Sequence, residues 1–246
     1  FLHSAIVIEE MSRAGITGPA FSLHSDIVAP YLLHYGTEAQ KRRWLPAMAR
    51  GEVLAAVAMT EPQGGSDLQA MRTTALRDGE DYVVNGRKIY ITNAQGADLI
   101  VLAAKTDPAA RAKGVSLILV ETDRPGFARG KPQKKDGCKA MDTSELFLDD
   151  LRVPVANLLG EEGRGFAQLM TELAQERLVQ AVRGIAAAEA ALAWTIDYTT
   201  GRSAFGQTVA DFQNTQFRLA EMRAEIAVQR VFVDRCMEVH LQGRLD

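Results

Sequence analysis

Ala56-Val57-Ala58-Met59-Thr60-Glu61-Pro62-Gln63-Gly64-Gly65-Ser66-Asp67 passes from a small-residue apolar run into a turn of glycines, hydroxyls and carboxylates. Pro62 fixes its own φ and biases Glu61 towards an extended backbone, so a strand breaks near Thr60. Gly64 and Gly65 allow positive φ and let another molecule approach the backbone closely. A loop of this kind at a strand's end presents N–H groups and hydroxyls to a phosphate or a flat polar ring. Taken alone, the stretch reads as an ordinary strand-to-loop turn, and its weight comes from its surroundings.

Upstream the pattern is helical. Ile6, Ile8 and Met11 share a segment ended by Gly15 and Gly18-Pro19, and Asp26 to Leu33 suggests a second helix. Thr37 with Gln40 three residues on forms a capping-box signature for a third, from Glu38 to about Arg50, with Trp44, Leu45 and Met48 on one side and Gly51 as the stop. From Glu52 the period changes to two. Strands are expected over Val53–Met59, Leu99–Ala104, Val115–Val120 and Ser144–Leu148, and Asp81–Thr92 reads as a hairpin turning at Asn85-Gly86. After Pro154 the chain turns helical again. A long helix is expected from about Phe166 to Tyr198, a break over Thr199–Gln207, and a last helix capped by Asp211 that carries Leu219, Met222, Ile226, Val233 and Met237.

The fold class is therefore α+β. It comprises a helical N-terminal part over 1–51, a middle β domain of packed sheets or a barrel over 52–155, and a C-terminal helical bundle over 156–246. Two long helices need more apolar neighbours than these residues supply, so further chain or a second subunit is expected to cover them. The start at Phe1 and the helical pattern still running near Leu245 suggest a segment of a longer protein.

A net charge of −3 and a pI near 5.9 offer no electrostatic case for nucleic acid or an anionic membrane. No apolar run is long enough to span a bilayer. Cys138 and Cys236 form no CxxC pair, and His3, His24, His34 and His240 lack metal-ligand spacing. No Gly-x-Gly-x-x-Gly follows a strand, so a Rossmann dinucleotide site has no support. The basic run Arg129–Lys135 reads as a solvated loop, with a phosphate contact as the alternative.

Leu169, Leu173, Glu176 and Gln180 share one helical face, with Gly184 and Ala187 further along it. A carboxylate in an apolar stripe is either a helix-rim residue, paired for example with Arg177, or a general base whose pKa burial raises. Spacing leaves both open.

Three groups of residues together resemble the acyl-CoA dehydrogenase family. They are Ala58-Met59-Thr60-Glu61-Pro62 with Gly65-Ser66-Asp67; Lys88-Ile89-Tyr90-Ile91-Thr92-Asn93; and Arg202 with Phe205-Gly206 and Gln213. Glu172–Leu178 and Val231–Cys236 look most like its long-chain branch. The resemblance covers essentially the whole chain. It implies FAD at a subunit interface of a tetramer, an acyl-CoA substrate, and an electron-transfer flavoprotein as acceptor. It places Val57, Met59, Thr60, Ser66, Tyr90, Ile91 and Thr92 at the flavin, with the Thr92 hydroxyl near N5, and Arg202 and Gln213 on FAD of a neighbouring subunit. Ser66, Gln175 and Arg177 are expected on the substrate side. Glu176 occupies the position at which the isovaleryl and long-chain branches carry their α-proton base, so the implied reaction is α,β-dehydrogenation to a trans-2-enoyl-CoA with hydride transfer to flavin N5.

Three positions depart from the family's pattern. Gln63 stands where many relatives have glycine, Tyr90 replaces the common tryptophan, and Ala174 replaces an aspartate that contacts CoA. Structural alternatives make Tyr90 and Phe205 core aromatics and Arg202 a solvated loop residue. Functional alternatives are an oxidase on the same fold and a non-catalytic flavin or acyl-CoA-binding subunit. A bacterial cytoplasm is the favoured compartment over a mitochondrial matrix, on alanine and arginine content.

Overall fold

The computed structural model describes residues 1–19 and 21–245. Helix α1 (Leu2–Arg13) ends before Gly15, as its composition predicts. A turn of π-helix (Leu23–Val28) leads into α2 (Ala29–Tyr35), with the Ala29 amide donating to the His24 carbonyl. Pro30 lacks the N–H that would continue an α-helical ladder at this junction. Helix α3 (Glu38–Ala49) opens on the expected capping box, in which Gln40 N donates to Thr37 Oγ1 and Thr37 N to Gln40 Oε1.

The strands are β1 (Ala55–Ala58), β2 (Thr74–Asp78), β3 (Asp81–Thr92), β4 (Leu99–Lys105), β5 (Val115–Glu121), β6 (Phe127–Arg129), β7 (Thr143–Pro154) and β8 (Leu158–Leu159). They form one sheet in the order β6-β7-β3-β2-β4-β5-β8, with β1 parallel to β4. Helix α4 (Gly165–Gly201), a short hairpin of β9 (Ser203–Ala204) and β10 (Gln207–Thr208), and helix α5 (Gln213–Leu241) complete the chain. It is thus helical at the N-terminus, β in the middle and helical at the C-terminus, as the sequence pattern indicates.

Two local expectations are corrected. Asp81–Thr92 is one continuous strand, and Asn85-Gly86 is no turn but the place where pairing with β7 shifts register between Val84 and Gly86. Glycine is required there by proximity, because a Cβ on Gly86 would lie 2.7 Å from the Thr73 Cα. The hairpin instead joins β2 to β3 through Gly79, whose φ of +63° suits a tight turn. Asp211 does not cap α5 either. Its carboxylate accepts from the Thr208 amide and hydroxyl, closing a 3-10 turn (Val209–Asp211) that precedes Phe212, the N-cap residue of α5.

The chain divides into two compact units. The first described here, Gly18–Leu173, holds the sheet. Strands β4 and β5 are buried on both faces, which is why they read as near-continuous apolar runs instead of alternating. Ile100, Leu102, Ile118 and Val120 pack with Tyr82, Val84, Leu146, Leu148 and Val153 of β3 and β7. This packing of one half of a single sheet against the other is the observed form of the expected packed sheets. From the opposite face Leu99, Val101, Leu117 and Leu119 pack against Val28, Tyr31, Leu32 and Met48 of the helices and Leu169 of α4.

The other unit joins Phe1–Thr17 to Ala174–Asp246. Ala5 and Ile8 of α1, Leu178, Val179, Val182 and Ile185 of α4, and Val233 of α5 form its small core. Beside that core the Arg230 guanidinium donates to Glu189 at 2.7 and 2.8 Å and also to Glu9, tying three helices together. The carboxylate–guanidinium pairing holds Glu189 below its ordinary pKa, chiefly through the hydrogen bond from Arg230.

Candidate functional site

The Thr60–Ser66 loop is held by one buried carboxylate. Backbone bonds from Glu61 N to Gly64 O (2.9 Å) and Gly64 N to Glu61 O (3.0 Å) close the Pro62-Gln63 turn. The Glu61 side chain then turns inward. It accepts from Lys88 Nζ at 2.8 Å, from the Arg72 and Thr73 amides at 2.6 and 3.0 Å, and from Gln63 Nε2 at 2.5 Å. Lys88 also donates to the Met59 carbonyl at 3.1 Å, and the Ile89 amide donates to the Thr60 carbonyl at 3.0 Å. Glu61 is 4% exposed and Lys88 is 0% exposed.

The electrostatics follow from that geometry. Burial drives the Lys88 ammonium down to about 8 against the pull of Glu61. Burial works to raise Glu61, but Lys88 and the converging donors outweigh it and hold the carboxyl at about 2. Both groups are charged at neutral pH.

One residue beyond Ile89 the strand bulges. Lys88 pairs with Leu146 but Ile91 with Ser144, so β3 carries one residue more than β7 here. Tyr90 sits in that bulge with φ +59°, a left-handed backbone that is strained for an aromatic residue. Tyr90 is 64% exposed, which excludes the core-aromatic alternative. Ile91 is buried and Thr92 half-buried. Met59 and Val57 are half-buried against the helix-side core, Thr60 is half-buried and Ser66 exposed. A Cβ on Gly65 would meet only Thr60 Cγ2, at 3.7 Å, so the protein leaves that flank of the loop open. Thr60 and Tyr90 thus stand on neighbouring segments fastened together by the Ile89–Thr60 and Lys88–Met59 bonds.

The remaining expected residues lie on α4 and beyond. Leu169 is fully buried, Leu173 and Glu176 half-buried and Gln180 exposed, so burial of the stripe fades along the helix. Beside Glu176, Gln175 Oε1 lies 3.0 Å from His240 Nε2 of α5, while Arg177 faces solvent. Arg202 and Gln213 are exposed, and Phe205, at φ +54° in the β9–β10 turn, is 96% exposed, so it too is no core aromatic.

Two features were missed in reading the sequence. The Lys88–Glu61 pair had a signal: Tyr82, Val84, Gly86 and Lys88 share the inward parity of β3, and a buried lysine requires an anion. The second had none. Glu172, buried on α4, accepts from or shares a proton with His34 Nδ1 at 2.8 Å, and burial with the nearby Glu172 pushes the Tyr35 phenol up to about 12. These groups border a cavity of about 360 Å³ lined by His34, Tyr35, Glu161, Arg164, Gln168 and Thr171, which contains none of the residues expected at the flavin.

Comparison with known proteins gives a uniform result. Family models described as acyl-CoA dehydrogenase N-terminal, middle and C-terminal domains match residues 1–52, 56–151 and 163–246. The chain is 49% identical to the mitochondrial long-chain specific acyl-CoA dehydrogenase of Rattus norvegicus, over 100% of the chain and 57% of that protein. Among solved structures, an acyl-CoA dehydrogenase from Geobacillus kaustophilus superimposes with a TM-score of 0.95 at 51% identity, covering 98% of this chain and 64% of that one. A prolyl acyl carrier protein oxidase, AnaB, superimposes with a TM-score of 0.92 at 32% identity, covering 98% and 65%. The chain therefore spans a little under two thirds of the relatives it matches.

Proposed function

We propose a function from one premise: this chain belongs to the acyl-CoA dehydrogenase family, matched by family models over residues 1–52, 56–151 and 163–246. The function is FAD-dependent α,β-dehydrogenation of an acyl-CoA thioester to the trans-2-enoyl-CoA. The observation that carries it is the bulge at Tyr90, where a strained backbone displays an aromatic ring beside the hydroxyl-bearing Thr60–Ser66 loop. Backbone strain maintained by surrounding bonds marks functional sites.

These residues fit a flavin. Tyr90 offers a flat face, Thr60, Ser66 and Thr92 offer hydroxyls, and the flank of Gly65 is open. Val57, Met59 and Ile91 back the same segments with apolar contacts. Bound FAD supplies the acceptor for the hydride that leaves the substrate's β-carbon. Glu176 takes the α-proton, and at working pH it must be ionised to do so. Gln175 and Arg177, on either side of it, orient the acyl-CoA, and Ser66 marks the start of the CoA path. Arg202 and Gln213, exposed on the helical unit, reach FAD of a neighbouring subunit in a homotetramer. Electrons then pass to an electron-transfer flavoprotein.

The second reading, an oxidase that passes electrons to oxygen, is favoured by the likeness to the prolyl acyl carrier protein oxidase. Anaerobic titration of the purified holoenzyme with acyl-CoAs of different length and branching separates the outcomes. Bleaching of the oxidised flavin band establishes dehydrogenation, and peroxide on readmitting air assigns the oxidase. A yellow protein that no acyl-CoA bleaches removes the substrate from the proposal, and a protein that takes up no FAD removes the whole of it.

A further inference from the structure

We propose that the buried Glu61–Lys88 pair is the positioning device of the flavin-facing surface, setting the Thr60–Ser66 loop and the Tyr90 bulge in register with each other. This rests on the flavoenzyme reading above. The pair touches every segment that carries a residue of that surface. Lys88 Nζ binds the Met59 carbonyl from one side of the loop, and its chain neighbour Ile89 binds the Thr60 carbonyl. Glu61 draws in the Arg72 and Thr73 amides, where the chain leaves the loop, and Gln63 at its tip. Two residues beyond Lys88 stands Tyr90, whose left-handed backbone persists only if both flanks are fixed.

Stability alone does not account for the arrangement. A buried ion pair is often matched or bettered by apolar residues of similar volume, so stability is a weak reason for its presence. Here the geometry is specific: one carboxylate collects four donors, and one ammonium bridges a carboxylate and a carbonyl. An apolar pair would fill the space and leave the Ile89–Thr60 backbone bond as the remaining polar tie between the two segments. Neither side chain reaches solvent, so the pair acts on a bound ring through Met59, Thr60 and Tyr90.

The test uses the holoenzyme and the double variant Glu61→Gln with Lys88→Met, which removes both charges at nearly constant volume. Thermal unfolding reports the fold. Visible-region circular dichroism of the bound flavin reports its seat, and stopped-flow reduction by saturating acyl-CoA reports its alignment. The parent is measured first. A parent without flavin overturns the functional reading and this inference with it, whereas a yellow parent bleached by acyl-CoA isolates the present question. The expected result is a folded double variant with an altered flavin dichroic band and a reduction rate lower by on the order of 10- to 100-fold, with KM little changed. A folded double variant with the parental band and rate overturns the proposal and leaves the pair a structural one. If the double variant does not fold, Glu61→Asp decides, because it keeps the charge and withdraws the carboxylate by one methylene. A shifted dichroic band with parental unfolding temperature supports positioning, and a parental band and rate overturn it.

Discussion

The surface around Tyr90 and the outer face of α5 are built in opposite ways. Around Tyr90 the chain closes its own bonds: the Glu61 and Lys88 side chains, the Arg72 and Thr73 amides and the Met59 and Thr60 carbonyls find partners within the same unit. On the outer face of α5, opposite Val233, the side chains of Val228, Val231 and Phe232 are exposed, Val231 at 70%. Near the start of that helix Phe217 is exposed as well. An exposed apolar row of this extent marks a surface that another chain segment or subunit covers. In the functional proposal the first region is the seat of the flavin, and the second is the face that a neighbouring subunit covers.

Four measurements break or sharpen that contrast. The largest effect is expected at Glu176. In the holoenzyme Glu176→Gln lowers turnover by about 10²- to 10⁴-fold while FAD remains bound, as loss of a general base does. An active variant would move the base elsewhere. Next is Lys88→Met alone, which strands Glu61 as a buried charge and costs about 3–5 kcal/mol of stability, read by denaturant unfolding. A cost near zero would mean that the remaining donors suffice for Glu61 and that Lys88 is dispensable to the loop.

The third is a pH effect. The folded Glu61 carboxyl, at about 2, lies below its ordinary value, so its stabilisation is complete above the ordinary carboxylate range. It is lost as pH falls through that range towards 2. Unfolding followed from pH 6 to pH 2 should show a shallower acid limb in Glu61→Gln than in the parent. Equal slopes would deny the pair its acid-side role. The smallest effect on the isolated chain is expected from Phe232→Ser, within about 0.5 kcal/mol, because the residue is already exposed. Its consequence should appear as subunit dissociation in sedimentation. A substantial loss of stability without a change of assembly would show that α5 already has its neighbours.

Much of the architecture was legible because its determinants are local. The Thr37–Gln40 capping box, the apolar runs of β4 and β5 and the alanine-rich α4 each declare themselves within a few residues. Asn85-Gly86 misled for the same reason. The dipeptide is a strong turn signal, but Gly86 is there because Thr73, distant in sequence, presses against it. The candidate site was legible as a set of residues, through family resemblance, and not as a geometry. Period-2 parity would place Lys88 and Tyr90 on one face of β3, yet the bulge between Lys88 and Ile91 buries the first and displays the second. No pattern within the strand encodes that reversal, which depends on the register of β7.

The link between Arg230 and Glu9 joins residues separated by 221 positions. The ribosome therefore delivers α1 long before the helix that carries its partner. At about 5–20 residues per second, the N-terminal helix waits on the order of 10–40 s before Arg230 has been made. Throughout that interval residues 18–173, one uninterrupted stretch, can complete their own unit. Ala5 and Ile8 meanwhile lack the core they will join, and their apolar surface waits for α4 and α5.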